Sequence, residues 1–301
     1  MKVLCIGQAT YDITLPVENY PIENKKVKTT QKVECGGGSA ANVAYLLSKW
    51  NVETYFAGLI GEEYYGQKVL KELSDASVNT EYLQVRSKVQ TPTSYIINNL
   101  ENGSRTIVTN RSNNVEMTDV EVKRDFDIIF LDGYEEAFSK KAIQKNPNAI
   151  KIIDAGSLND RTINLSKLCD YVVCSKDFAE DYSKMKIDYE DLDTIVEIYE
   201  KLHKDFKGKI IITLESKGAF LDYNGYKIIP SIDVDAVDST GAGDIFHGAF
   251  VYCITQRFDL IKSVKISNIS GGLSVLNIGA RHSIPELNDV MEIYNELIIT
   301  K

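Results

Sequence analysis

The 301-residue chain predicts an α/β fold, with a mostly parallel central sheet, helices on both faces and a small β-sheet lid. Three observations carry this. Short apolar runs alternate with stretches of helical length, the pattern of strands that pair in parallel through helical crossovers. Two polar, β-leaning insertions, about 13–34 and 91–109, interrupt that alternation. Late in the chain, Asp238–Asp244 (DSTGAGD) is a turn of small residues opening an apolar helix. No repeat, low-complexity tract or linker divides the chain, so 1–301 reads as a single domain.

Lys2–Gly7 (KVLCIG) has the look of a buried central strand. Asp12 follows its carboxyl end, where open α/β sheets place ligands. Its carboxylate is either a holder of two sugar hydroxyls or an Asx-turn leaving the strand. The 13–34 insertion and the pieces Thr91–Asn98 and Arg105–Thr109 alternate as strands but are too polar for a sheet centre. They read as one antiparallel lid able to exclude water, or as a surface or dimer-forming sheet.

Gly36–Ala44 (GGGSAANVA) then runs into a helix through Trp50. Its glycines let backbone approach a ligand, and Asn42 carries both donors and acceptors for a polyol edge. Glu53–Gly61 reads as a strand and Glu63–Ser74 as a helix. Gly61 and Gly66 have the spacing of a phosphate-binding P-loop, but Gln67 stands where lysine is required. Strands follow at Ile128–Leu131, Ile150–Ile153, Tyr171–Cys174 and Ile210–Leu214, separated by helices near 136–144, 177–185 and 189–205. A hairpin turns at Asn224-Gly225, and helices 242–256, 259–275 and 286–298 complete the chain.

The DSTGAGD turn carries the chemistry. A helix that opens on Gly241, Ala242 and Gly243 leaves backbone N–H groups aimed outward with the helix dipole behind them, an anion site made of main chain. Asp244, in the first turn, would repel a passively bound phosphate. It suits a base that takes a proton from a hydroxyl attacking phosphorus. The plainer alternative is a capped helix start with glycines for tight packing. A dinucleotide fingerprint is disfavoured, because Phe246 stands where the third glycine belongs.

Composition narrows the class. A net charge of −9 gives no electrostatic footprint for nucleic acid or an anionic membrane. Five scattered cysteines without CxxC spacing suit a reducing, cytoplasmic setting. His203, His247 and His282 lack metal spacing and read as surface or packing residues, and no apolar run reaches membrane-spanning length.

On GGGSAANVA, with the later Gly58 and Gly61, and on DSTGAGD, the chain resembles the ribokinase-like (PfkB) carbohydrate kinases over nearly its whole length. The resemblance implies a ribokinase-like three-layer domain with a β lid, transferring the ATP γ-phosphate to a sugar hydroxyl. It assigns Asp244 as base, Gly241–Gly243 as amides for the transferring phosphoryl group, and Asp12, Gly37, Gly38 and Asn42 to sugar hydroxyls. Arg105, in the SRTIV segment of the lid, is a further candidate for the substrate. Nucleotide contacts fall to Thr213, Ser216, Gly218 and Asn268. A monovalent cation, usually potassium, is implied at Asp238, Thr240, Ser274, Asn277, Gly279 and Ser283. Magnesium is expected with ATP, although Ser175-Lys176-Asp177-Phe178 replaces the family's Asn-x-x-Glu. That variant, Glu215 in place of a glycine, and the SRTIV and HGAF segments resemble the ketohexokinase/fructokinase-like branch.

The expected activity is therefore phosphorylation of a small ribose-, fructose- or ketohexose-like sugar. The alternatives are a nucleoside or sugar-phosphate kinase of the same fold, and a non-catalytic sugar- or nucleotide-binding regulator. A homodimer through the lid sheet is an expected partner arrangement.

Overall fold

The computed structural model describes residues 1–111, 115–118 and 120–299. The chain opens with β1 (Lys2–Ile6), β2 (Thr10–Val17), β3 (Val33–Gly37), α1 (Ser39–Lys49), β4 (Glu53–Gly61), α2 (Tyr64–Asp75) and β5 (Asn79–Arg86). It continues through β6 (Thr93–Asn99), β7 (Arg105–Asn110), β8 (Ile128–Leu131), α3 (Glu136–Lys145), β9 (Ile150–Ala155), α4 (Asp160–Ser166) and β10 (Tyr171–Ser175). Then come α5 (Lys176–Ser183), α6 (Leu192–Asp205), β11 (Lys209–Thr213), β12 (Ala219–Asp222), β13 (Tyr226–Ile229), α7 (Ala242–Thr255), α8 (Leu260–Ser274) and α9 (Leu287–Ile299).

Nine strands form the main sheet in the order β13-β12-β11-β10-β9-β8-β1-β4-β5, parallel from β11 to β5, with the β12–β13 hairpin antiparallel at one edge. Side chains of a strand alternate between faces, and β1 shows the result. Val3 and Cys5 join the apolar layer under α1, α2, α7 and α8, while Leu4 and Ile6 join the layer under α3, α4, α5 and α6. Both faces are thus covered, which is why these strands read as continuous apolar runs rather than alternating ones.

A separate four-stranded sheet has the order β3-β2-β6-β7, with β2 and β6 parallel and the outer pairs antiparallel. In the 13–34 insertion only the ends pair, in β2 and β3; residues 18–32 form no strand. Asp12 lies inside β2, so the Asx-turn alternative is not realised. Two elements go beyond the sequence expectation. β5 is an edge strand of polar composition whose outward side chains meet water, and α4 is seven residues long, too short to show a helical period. Among the described residues no helix is long and apolar enough to cross a membrane.

Helix starts differ with position. α2, α4, α5, α6 and α8 are each capped by the side chain of the preceding residue: Glu63, Asn159, Ser175, Asp191 and Asp259. α1 and α7, which open at Gly38 and Gly241, have no side-chain cap.

Candidate active site

The anion loop is shaped by Gly241, at φ 80°, the left-handed region that glycine enters without strain. A Cβ there would lie 2.5 Å from the Ala280 methyl. Asp238 ties the loop to its neighbour: one carboxylate oxygen accepts the Thr240 N–H at 2.9 Å and the other accepts the Gly279 N–H at 2.9 Å. The small sheet reaches the same loop. Asn98 donates to the Val237 carbonyl at 3.1 Å, and Arg105 donates to the Ser239 hydroxyl at 2.7 Å.

Asp12 and Asn42 form the facing wall. Asp12 is 8% exposed and accepts the Thr10 hydroxyl at 2.8 Å. Burial pushes its pKa up to about 6, against the opposing pull of Thr10, Ser94 and the Arg281 guanidinium, while the Asp244 charge adds to the rise. Gly37 is required beside it, since a Cβ would sit 2.0 Å from Asp12 Oδ2. Gly38, at φ 93°, turns the chain into α1. Asn42 then donates through Nδ2 to Asp244 Oδ2 at 2.7 Å, joining residues 202 apart in sequence.

These groups line one cavity of about 330 Å³. Of the residues singled out in the sequence, Asp12, Gly38, Asn42, Arg105, Thr213, Thr240, Gly241, Gly243 and Asp244 line it. Gly37 acts from behind, by leaving room for Asp12. Three expected nucleotide residues lie outside the lining. Ser216 is exposed on a 3₁₀ turn. Gly218 is packed so that a Cβ would meet the Ile229 carbonyl at 2.0 Å. Asn268 is 5% exposed, and its amide donates to the Ile229 and Pro230 carbonyls at 2.8 and 3.2 Å.

Asp154 lines the cavity and was not singled out in the sequence. The available signal was its place at the carboxyl end of a buried strand, the argument applied to Asp12. Burial raises its pKa; His247 opposes the rise and Asp244 adds to it. His247 is buried and lines the same cavity. Its Nδ1 lies 2.6 Å from the Gly243 carbonyl and its Nε2 3.5 Å from Asp154 Oδ1. Asp132, just behind the cavity, accepts the backbone N–H groups of Gln8, Ala40 and Tyr134, and burial pushes its pKa up to about 7.

Among the described residues no group of three or more His, Cys, Asp or Glu side chains forms a metal cage. Of the potassium positions implied by the resemblance, Asn277 is exposed and the other five are buried. Asp238 is fully buried, and the Thr240 hydroxyl is buried with no hydrogen-bond partner. Ser274 and Ser283 donate their hydroxyls to the Gly271 and Ala280 carbonyls, which leaves their oxygens able to face a cation. An orphaned hydroxyl next to a buried negative charge fits a cation.

A parallel sheet with a small sheet over its carboxyl edge, and a carboxylate at an uncapped helix start, is the arrangement of a phosphotransferase acting on an alcohol. The profile described as pfkB family carbohydrate kinase matches residues 1–287, and the chain belongs to that family. Ribokinase of Bacillus subtilis (strain 168) is 23% identical over 97% of this chain and 99% of its own length. The ATP-dependent ribose-1-phosphate kinase of Halopiger xanaduensis is 26% identical over 98% of this chain and 99% of its own. Among solved structures, Arabidopsis thaliana ribokinase complexed with ribose and ATP superposes with a TM-score of 0.79. It is 23% identical and covers 97% of both chains.

Proposed function

We propose that the chain is an ATP-dependent kinase of a free, ribose-like sugar. The observation that carries the reading is Asp244: a carboxylate in the first turn of an uncapped helix, hydrogen-bonded to Asn42 across a cavity that also holds Asp12. A sugar hydroxyl placed beside Asp244 loses its proton to that carboxylate as it attacks the γ-phosphorus. The amides of Gly241, Ala242 and Gly243 hold the charge that builds on the transferring group. Asp12, Asn42 and the Gly37–Gly38 backbone orient the remaining hydroxyls. The nucleotide runs toward Ser175 and Thr213, and the small sheet acts as a lid.

Magnesium, entering with the ATP phosphates, neutralises their charge. Such a metal would need one or two protein carboxylates; of the three that line the cavity, Asp12, Asp154 and Asp244, the one given no other task is Asp154. Potassium would be held by Asp238, Thr240, Ser274, Asn277, Gly279 and Ser283, and would supply positive field beside the loop. The bare edge of β7 is the surface proposed for pairing with a second copy, and an acidic chain with five buried thiols suits the cytoplasm.

The SRTIV, HGAF and Ser-Lys-Asp segments favour a ketohexose, whereas the curated relatives are named ribokinases, deoxyribokinases and a ribose-1-phosphate kinase; their names support ribose ahead of fructose. A phosphorylated sugar is the weaker reading: Arg105 is engaged with Ser239, and the Arg111 guanidinium is stacked 3.9 Å over the Tyr134 ring. The test is ADP release over a panel of ribose, deoxyribose, fructose, ribose 1-phosphate and nucleosides. Ribose is expected to give the highest kcat/KM. Saturable sugar binding without ADP from any member would mean a binding protein and end the kinase reading.

A further inference from the structure

Arg281 sits between two expected cation positions, Gly279 and Ser283, and neither the sequence reading nor the proposed function gives it a task. Its side chain is 2% exposed. NH1 donates to Glu72 Oε2 at 2.8 Å, Nε donates to Asn42 Oδ1 at 3.1 Å, and the guanidinium lies 5.1 Å from the Tyr45 ring. Its NH2 has no hydrogen-bond partner. The surroundings are shaped to admit it: a Cβ on Gly36 would lie 2.0 Å from NH1, and the Gly36 N–H donates to the same Glu72 oxygen at 2.8 Å. A buried charge with one unfilled donor is a costly way to join a loop to a wall, so its other contacts are informative.

Asn42 stands between Arg281 and Asp244. An asparagine amide has a donor end and an acceptor end of almost equal shape, so its orientation follows from its partners. Arg281 can only donate, and a carboxylate at Asp244 can only accept. Arg281 therefore takes Oδ1 and turns Nδ2 toward Asp244. We propose that Arg281 is a positioning residue for the phosphoryl transfer. By fixing the Asn42 amide it aims the Asp244 carboxylate, with Glu72 on α2 as its counter-charge. It touches none of the reacting atoms. The glycine at position 36, which Gly37 and Gly38 do not explain, is the room this guanidinium needs.

The proposal rests on the kinase reading, and the experiment separates the two. Arg281→Met alone leaves Glu72 without its partner and is expected to lower Tm. Adding Glu72→Gln removes the unpaired charge and is expected to recover Tm. In the double variant kcat for the sugar should stay about 10- to 100-fold below wild type, the scale of a misplaced catalytic group, with KM for ATP within about twofold of wild type if only aim is lost. Recovery of kcat together with Tm would make Arg281 a purely structural residue and overturn the proposal. A second readout needs no turnover. The side-chain amide protons of Asn42, followed by NMR hydrogen exchange, should be protected in wild type and exposed in the double variant; equal protection overturns the proposal. A wild-type protein inactive on every sugar would end the kinase reading, and the Asn42 amide would still decide the role of Arg281.

Discussion

On the wall facing the anion loop the acidic and amide groups are already partnered: Asp12 has Thr10 and Asn42 has Asp244, with Arg281 behind them reaching both Asn42 and Glu72. At the phosphate end α7 starts without a side-chain cap, the Thr240 hydroxyl lacks a partner, and Asp154 faces the cavity with His247 for company. One end is organised before any ligand arrives; the other is completed by what binds there. On the proposed function, sugar selectivity rests with side chains already held in place, and phosphate binding with main-chain amides and cations.

The comparison breaks most severely at the point where the two ends meet. Asp244→Asn keeps the shape of the network but removes the proton acceptor. It is expected to lower kcat by about 10²- to 10⁴-fold while calorimetry still detects sugar and nucleotide. Wild-type turnover by this variant would remove Asp244 from the chemistry.

Next in size is Gly37→Ala. Its methyl group would overlap the Asp12 carboxylate, so sugar KM is expected to rise at least about 10-fold, with about 1–3 kcal/mol of lost stability from overpacking. Chemical denaturation and initial rates measure both. An unchanged sugar KM would mean that Asp12 is not the sugar's anchor.

Asp12→Asn sharpens the same end through pH. The folded-state pKa of Asp12, about 6, lies above its ordinary value of 3.8. The stabilisation linked to its proton is therefore complete below about pH 4 and lost as pH rises through about 6. Asparagine carries no such charge, so the variant is expected to melt a few degrees above wild type at pH 8, with the gap closing toward pH 4. Wild-type kcat/KM for sugar should climb through about pH 6 as the acceptor ionises, and the variant should lose that step. At the other end, Ser216→Ala should change ATP KM by less than about threefold, since an exposed hydroxyl on a 3₁₀ turn exchanges protein contact for water at little net cost.

The main sheet and the anion loop were legible because their signals are local. Buried parallel strands are uniformly apolar, and DSTGAGD holds its helix start, its glycines and its carboxylate within seven residues. Asp12 and Asn42 were legible by position and motif. Arg281 was not, because its significance lies in contacts with Asn42 and Glu72, 239 and 209 residues away in sequence. β5 escaped because an edge strand need bury only part of its surface, and NTEYLQVR shows a polar face. Asn268 lies outside the cavity lining for the opposite reason: a polar residue beside a ligand region was expected to face the ligand, whereas its amide donates to the carbonyls at the end of the last hairpin strand.

Asp238 grips Thr240 with one oxygen and Gly279 with the other, so the two segments beside the proposed phosphoryl path are riveted into a single piece, to which the small sheet adds only the bonds from Asn98 and Arg105. Grafting β2, β3, β6 and β7 from a relative with a different preferred sugar is therefore expected to transplant the preference and leave the transfer machinery running, provided the graft keeps Asp12 and the Asn98 and Arg105 contacts to the loop.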